Sequence, residues 1–121
     1  MTRRILVIED QEDNRVILHD LLTNAGYEVI EAVNGELGVR LAETAAPDLI
    51  LMDIQLPVLD GYEATRRIKA QPALAAIPII AVTSYALSGD EAKARAAGCD
   101  AYVTKPFSPR QLLAKVRELL P

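Results

Sequence analysis

Cysteine is almost missing from this chain. Cys99 stands alone among 121 residues, which excludes a disulfide framework and a Cys-based zinc site; it reads as a small buried residue. Histidine is as scarce: His19 falls inside the first predicted helix, away from the candidate site, and reads as a surface or boundary residue. Long apolar runs are lacking too. The longest have four to five residues, too short to span a membrane. Positive charge is not in excess: 13 Lys+Arg against 17 Asp+Glu leave a net charge of −4, which argues against binding nucleic acid by phosphate neutralisation. Met1-Thr2-Arg3-Arg4 leads directly into a strand-like run, with no room for a signal peptide, so a cytoplasmic location is expected. Neither G-x-x-x-x-G-K-[ST] nor G-x-G-x-x-G nor G-x-S-x-G occurs, which removes a P-loop, a dinucleotide fingerprint and a nucleophile elbow.

What is present is a core and a rhythm. Half of the residues are apolar, enough for one folded domain of this length and against disorder. Strand-like runs at 5–8, 28–32, 49–52, 77–82 and 101–104 alternate with segments of helical period. Three of these runs are almost continuously apolar, as parallel strands covered on both faces are. The run at 28–32 alternates like an edge strand, and the short mixed run at 101–104 suits the other edge.

Helix signals fill the gaps. Ile17, Leu18, Leu21 and Leu22 form the stripe of the first helix, which ends at Gly26. Asn34 caps the second, whose Leu37, Leu41 and Ala45 follow at helical spacing. Asp60-Gly61 opens the third, and a capping box at Ser88-Gly89-Asp90-Glu91 opens a fourth that stops at Gly98. Ser108-Pro109-Arg110-Gln111 starts the fifth, carried by Leu112, Leu113, Val116, Leu119 and Leu120. The expected fold is α/β: (βα)5, one five-stranded parallel sheet of order 2-1-3-4-5 with helices on both faces.

Such sheets bind ligands beyond the carboxyl ends of their strands. That edge collects Glu9-Asp10 after the first strand, Asp53 after the third, Thr83-Ser84 after the fourth and Thr104-Lys105-Pro106 after the fifth. Taken singly, any of them reads as a helix cap or a plain ion pair. Together they are three carboxylates that repel one another. Lys105 offsets part of that cost and a hard divalent cation offsets more. Carboxylate oxygen is what Mg²⁺ prefers, and Mg²⁺ commonly completes its shell with a phosphate.

At these residues the chain resembles the receiver domain of two-component response regulators, the CheY-like superfamily, with its flavodoxin-like fold. The resemblance is carried by Ile5-Leu6-Val7-Ile8-Glu9-Asp10, by the stretch from Leu51 through Asp53 and Pro57 to Gly61, by Ile80-Ala81-Val82-Thr83-Ser84 and by Tyr102-Val103-Thr104-Lys105-Pro106-Phe107. It implies a phosphorylation-dependent switch. Asp53 is then the phosphoacceptor. Asp10, Asp53 and the backbone carbonyl of Gln55 bind Mg²⁺, with Glu9 acting partly through water. Lys105 and the Thr83 hydroxyl meet phosphoryl oxygens, as does the Ser84 backbone N–H, and Tyr102 changes rotamer on activation. The Lys105–Pro106 bond is expected to be cis. The implied partners are a sensor histidine kinase or histidine phosphotransfer protein, and a downstream target reading the surface of helix 4, strand 5 and helix 5.

Gln55 and Tyr85 lie two residues beyond Asp53 and Thr83, at positions that tune hydrolysis in this family. Both are bulky. Tyr85 either shields the phosphoryl group from water or is plain surface. The fourth helix has no large apolar residue, so it is either mobile or closely packed. Residues 1–121 are expected to form a single receiver domain without an output domain, which is not an enzyme beyond assisting its own phosphorylation and dephosphorylation. A receiver excised from a hybrid kinase or multidomain regulator stays open. A small Mg²⁺-dependent aspartyl phosphatase is a distant alternative, because Asp-x-Asp is absent from Glu9-Asp10-Gln11-Glu12 and from Asp53-Ile54-Gln55.

Overall fold

The computed structural model describes residues 2–84 and 90–121. Its elements are β1 (Arg4–Ile8), α1 (Glu12–Asn24), β2 (Glu28–Ala32), α2 (Gly35–Ala45), β3 (Leu49–Asp53), α3 (Gly61–Lys69), β4 (Ile79–Thr83), α4 (Asp90–Ala97), β5 (Ala101–Thr104) and α5 (Pro109–Leu119). All strand pairs are parallel and the order is β2-β1-β3-β4-β5, the (βα)5 arrangement expected from the pattern of runs.

Period-two side chains divide the core into two layers. Leu6, Ile8, Ile50, Met52, Ile79 and Ala81 face Ala42, Ala64, Ile68 and Ala94 from α2, α3 and α4. Ile5, Val7, Leu49, Leu51, Ile80 and Val82 face Leu18, Leu22, Leu112 and Val116 from α1 and α5. This double cover is why three strands read as unbroken apolar runs. The edge strand β2 departs from the expected alternation. Val29 packs into one layer and Ile30 into the other, while Glu28 and Glu31 stay exposed.

Two strand ends also shift from the expected bounds. β4 begins at Ile79, not at residue 77, because Pro78 has no N–H for the ladder, and the Ile79 N–H is taken by the Asp100 carboxylate at 2.9 Å. β3 runs on through Asp53, which pairs with Val82.

The caps follow the sequence. Asn34, Asp60 and Ser108 accept the N–H of Leu37, Glu63 and Gln111, and Gly26 ends α1 at φ +96°, a conformation open to glycine. Ile17 is a correction: it does not join the buried stripe of α1. Leu18 and Leu22 are buried, whereas Val16 and Ile17 are 51% and 54% exposed, because two and one helical steps of about 100° from Leu18 carry them off the packed face. The expected capping Ser88 and the shielding Tyr85 lie outside the described residues. In α4, Ala94 and Ala97 are buried, and Ala94 packs in the same layer as α3.

Candidate phosphoacceptor and metal site

β1 delivers Glu9 and Asp10 to the carboxyl edge of the sheet. Glu9 continues the ladder for one more bond, its N–H reaching Ala32 at 3.0 Å, and this draws its side chain inward to 2% exposure. Glu9 Oε1 accepts from Asn14 Nδ2 at 2.6 Å and from Lys105 Nζ at 3.1 Å. Asp10 is exposed.

β3 ends in Asp53, which is 5% exposed. Its Oδ1 accepts the Gln55 N–H at 3.1 Å, and its Oδ2 lies 3.4 Å from Lys105 Nζ. Lys105 arrives from the end of β5. Its N–H donates to the Thr83 carbonyl at 2.7 Å, and the Lys105–Pro106 bond is cis, as expected. Carboxylate oxygens of Glu9, Asp10 and Asp53 lie within 4.8 Å of one another.

Charge is unevenly shared here. Asp53 is raised from 3.8 to about 8, first by burial, then by its hydrogen bond to Glu9 and the Glu9 charge, with Lys105 opposing. Burial also pushes Glu9 upward, but its hydrogen bonds with Asp53 and Asn14 and the Lys105 charge outweigh that and leave it lowered. Burial and the Glu9 charge thus favour the protonated form of Asp53, whereas Lys105 and Asn14 favour the charged form of Glu9. Three oxygen-donor carboxyls around one ammonium form a donor set that fits a hard divalent cation, and such a cation would favour the charged form of Asp53.

The residues expected at this edge assemble there, and the structure adds two residues, Asn14 and Gly61, and one side-chain contact of Gln55. Asn14 orients Glu9. Gly61 packs against the backbone of Asp53. The Gln55 side chain, noted in the sequence only for its bulk two residues beyond Asp53, donates from Nε2 to Thr83 Oγ1 at 2.7 Å and accepts the Ser84 N–H on Oε1 at 3.1 Å. Nothing in the linear spacing marks Asn14 or the reach of Gln55, since both depend on where neighbouring strands end. Tyr102 is half-buried beside Ala81 in the ladder and packs against the α2–α3–α4 layer. It also lines a recess of about 500 Å³ with Gln111, Lys115 and Glu118 of α5. Burial and then the Asp90 charge push its phenol upward.

A family profile described as response regulator receiver domain matches residues 5–117.

The chain belongs to the response regulator receiver family.

This receiver is 42% identical over 120 residues to the polar-differentiation response regulator DivK of Brucella ovis, covering 99% of this chain and 98% of that one. Among solved structures it is similar to the receiver domain of the sensor histidine kinase PA1611 from Pseudomonas aeruginosa, which has a magnesium ion coordinated in its active site cleft. There the TM-score is 0.92 and the identity 40%, over 99% of this chain and 98% of the other. The Vibrio cholerae chemotaxis protein CheY4 superposes with a TM-score of 0.93 at 27% identity, over 98% and 99% of the two chains. The protein is thus a phosphorylation-dependent signalling receiver of a two-component system. Receivers of this kind interact with histidine kinases and downstream targets. No described helix is long and apolar enough to cross a membrane.

Proposed function

We propose that this receiver takes a phosphoryl group from a phosphohistidine partner onto Asp53 and passes the signal on as a changed surface of α4, β5 and α5. The observation that carries the assignment is Asp53 itself: a buried carboxyl at a strand end, set between Glu9 and the Lys105 ammonium. Asp10, Asp53 and the Gln55 carbonyl, with Glu9 partly through water, would hold Mg²⁺. When bound, the ion neutralises carboxylate and phosphoryl charge and brings them together.

In the transfer, the P–N bond of the phosphoimidazole breaks as an Asp53 oxygen bonds to phosphorus. The electron pair leaves with the imidazole nitrogen, which takes a proton from solvent. Asp53 must first be in its charged form. The loose transition state asks mainly for alignment and positive charge, and Lys105 supplies charge where the phosphoryl oxygens arrive. Thr83 and the Ser84 N–H then bond those oxygens, and Tyr102 turns into the space beside β4. Water later cleaves the acyl phosphate, releasing phosphate and restoring the carboxylate. The receiver acts as a stoichiometric acceptor, cytoplasmic, over residues 1–121 as one unit, and assists only its own phosphorylation and dephosphorylation.

The phosphodonor docks beside the acceptor. A groove of about 440 Å³ is lined by Ile17 of α1, by Pro106, Phe107 and Pro109, and by Lys105 and Ser84. An apolar helix face carrying the phosphohistidine would cover Ile17 and place the phosphoryl group toward Lys105. The DivK similarity favours a regulator read by binding partners. The similarity to the PA1611 receiver favours a second reading, the same chemistry in a receiver serving a hybrid kinase.

Incubation with Mg²⁺ and a small acyl or amido phosphate, followed by intact-mass measurement, tests the assignment. One phosphoryl adduct is expected, absent in Asp53→Asn. No adduct, or one that survives that substitution, overturns it. Continuous turnover of added phosphomonoesters would point to the phosphatase reading instead.

A further inference from the structure

The Gln55 carboxamide holds the two groups that an incoming phosphoryl group needs. Its Nε2 donates to the Thr83 hydroxyl at 2.7 Å and its Oε1 accepts the Ser84 N–H at 3.1 Å. Thr83 is 1% exposed, and a buried hydroxyl keeps a hydrogen-bond partner because its desolvation is otherwise uncompensated. The same backbone segment is anchored at Asp53, where Oδ1 accepts the Gln55 N–H at 3.1 Å. One residue thus joins the ends of β3 and β4 in the unphosphorylated state, at three points.

We propose that the Gln55 side chain is a resting-state latch, a stand-in for the phosphoryl oxygens that must let go of Thr83 and Ser84 before the active arrangement can form. This deepens the acceptor reading given above and rests on it. The argument is one of competition. A phosphoryl oxygen and the Gln55 Oε1 cannot both take the Ser84 N–H in good geometry, and the Thr83 hydroxyl, a donor as well as an acceptor, cannot shift toward a phosphoryl group without leaving Gln55 Nε2. The latch sets a cost on activation, because a ligand is weakened by whatever fraction of the protein is held in the incompetent state. Two hydrogen bonds, each at the low end of its net strength, correspond to about fivefold in that equilibrium, and at ordinary strength to more. The latch also keeps β4 in its resting position, so stray occupancy of the site by water or cation alone does not move Thr83. Gln55 is a positioning residue in this scheme, since it acts through Thr83 and Ser84.

The test uses the full chain, with Gln55→Met, which keeps length and bulk but cannot make either carboxamide bond, and Gln55→Ala as a second variant. The first readout needs no ligand: hydrogen exchange of the Ser84 amide, followed by NMR, is expected to be at least fivefold faster in both variants. The second is the apparent affinity for beryllium trifluoride at saturating Mg²⁺, expected to tighten about fivefold in both. A variant merely damaged in structure would bind more weakly, not more tightly. Unchanged Ser84 exchange, or unchanged or weaker beryllofluoride binding, overturns the latch. Wild-type protein that binds no beryllofluoride and forms no adduct on Asp53 would instead overturn the acceptor assignment, while the ligand-free exchange measurement still decides the latch.

Discussion

Gly61 presses against Asp53 so closely that a Cβ built on it would strike the Asp53 carbonyl oxygen and come within 2.6 Å of Ile54 Cα. The missing side chain is what lets the first turn of α3 sit against Asp53, with the Gly61 N–H donating to the Ile54 carbonyl at 3.0 Å. Backbone on backbone has little room to yield. Gly61→Ala is expected to cost about 1–3 kcal/mol of stability and to displace Asp53. Urea unfolding and a Mg²⁺ titration check it; wild-type values in both would show that α3 moves freely.

The proton held by Asp53 gives the receiver a pH dependence of known sign. Its folded-state value of about 8 lies above its ordinary 3.8. The folded state therefore binds more protons in that window, and this contribution to stability is complete in acid and lost as pH rises through about 8. Glu9 is lowered and works in the opposite sense, with its contribution lost as pH falls. Chelator-treated protein is expected to lose stability from pH 6 to pH 9, and Asp53→Asn to remove that decline. Mg²⁺ binding releases the proton, so calorimetry should show affinity rising across the same range by up to about tenfold per pH unit. A flat profile would place the proton elsewhere.

Lys105 holds the carboxylate oxygens that a divalent cation would need. Its ammonium lies 3.1 Å from Glu9 and 3.4 Å from Asp53. Lys105→Met is expected to strengthen Mg²⁺ binding by removing a like charge, and to slow phosphorylation by about 10²-fold by removing a donor aimed at the transferring group. The two effects run in opposite directions, so cation titration and adduct kinetics on one variant separate them. Parallel losses in both would mean that Lys105 only supports the fold.

Ile17 tests the docking face. It is 54% exposed and lines the groove beside Lys105. Ile17→Asp is expected to slow phosphotransfer from a phosphohistidine protein at least tenfold while leaving labelling by a small phosphate donor unchanged. Equal rates from the protein donor would move its docking site elsewhere.

Val58 carries backbone strain in the loop that follows Asp53. Its φ is +70°, a region costly for a β-branched residue, and it is 79% exposed, so packing gives little in return. Val58→Gly is expected to raise stability by about 1 kcal/mol, after the entropy cost of glycine is counted. Denaturant midpoints of the two proteins check this.

The sequence was enough to determine the sheet and the identity of the acidic edge. Continuous apolar runs at 5–8 and 49–52 can be buried only by helices on both faces, and the cap residues Asn34, Asp60 and Ser108 mark helix starts because their short side chains reach the N–H groups of the first turn. What periodicity could not resolve was the angle of a side chain about its helix: Ile17 and Leu18 differ by one step, and only packing decides that Leu18 goes in while Ile17 stays out. Nor could it show that Glu9 is buried while its neighbour Asp10 is exposed, or that Gln55 reaches across to Thr83. Those outcomes depend on where separate strands end relative to one another. The spacing of residues along a chain carries no such distances until the tertiary fold closes.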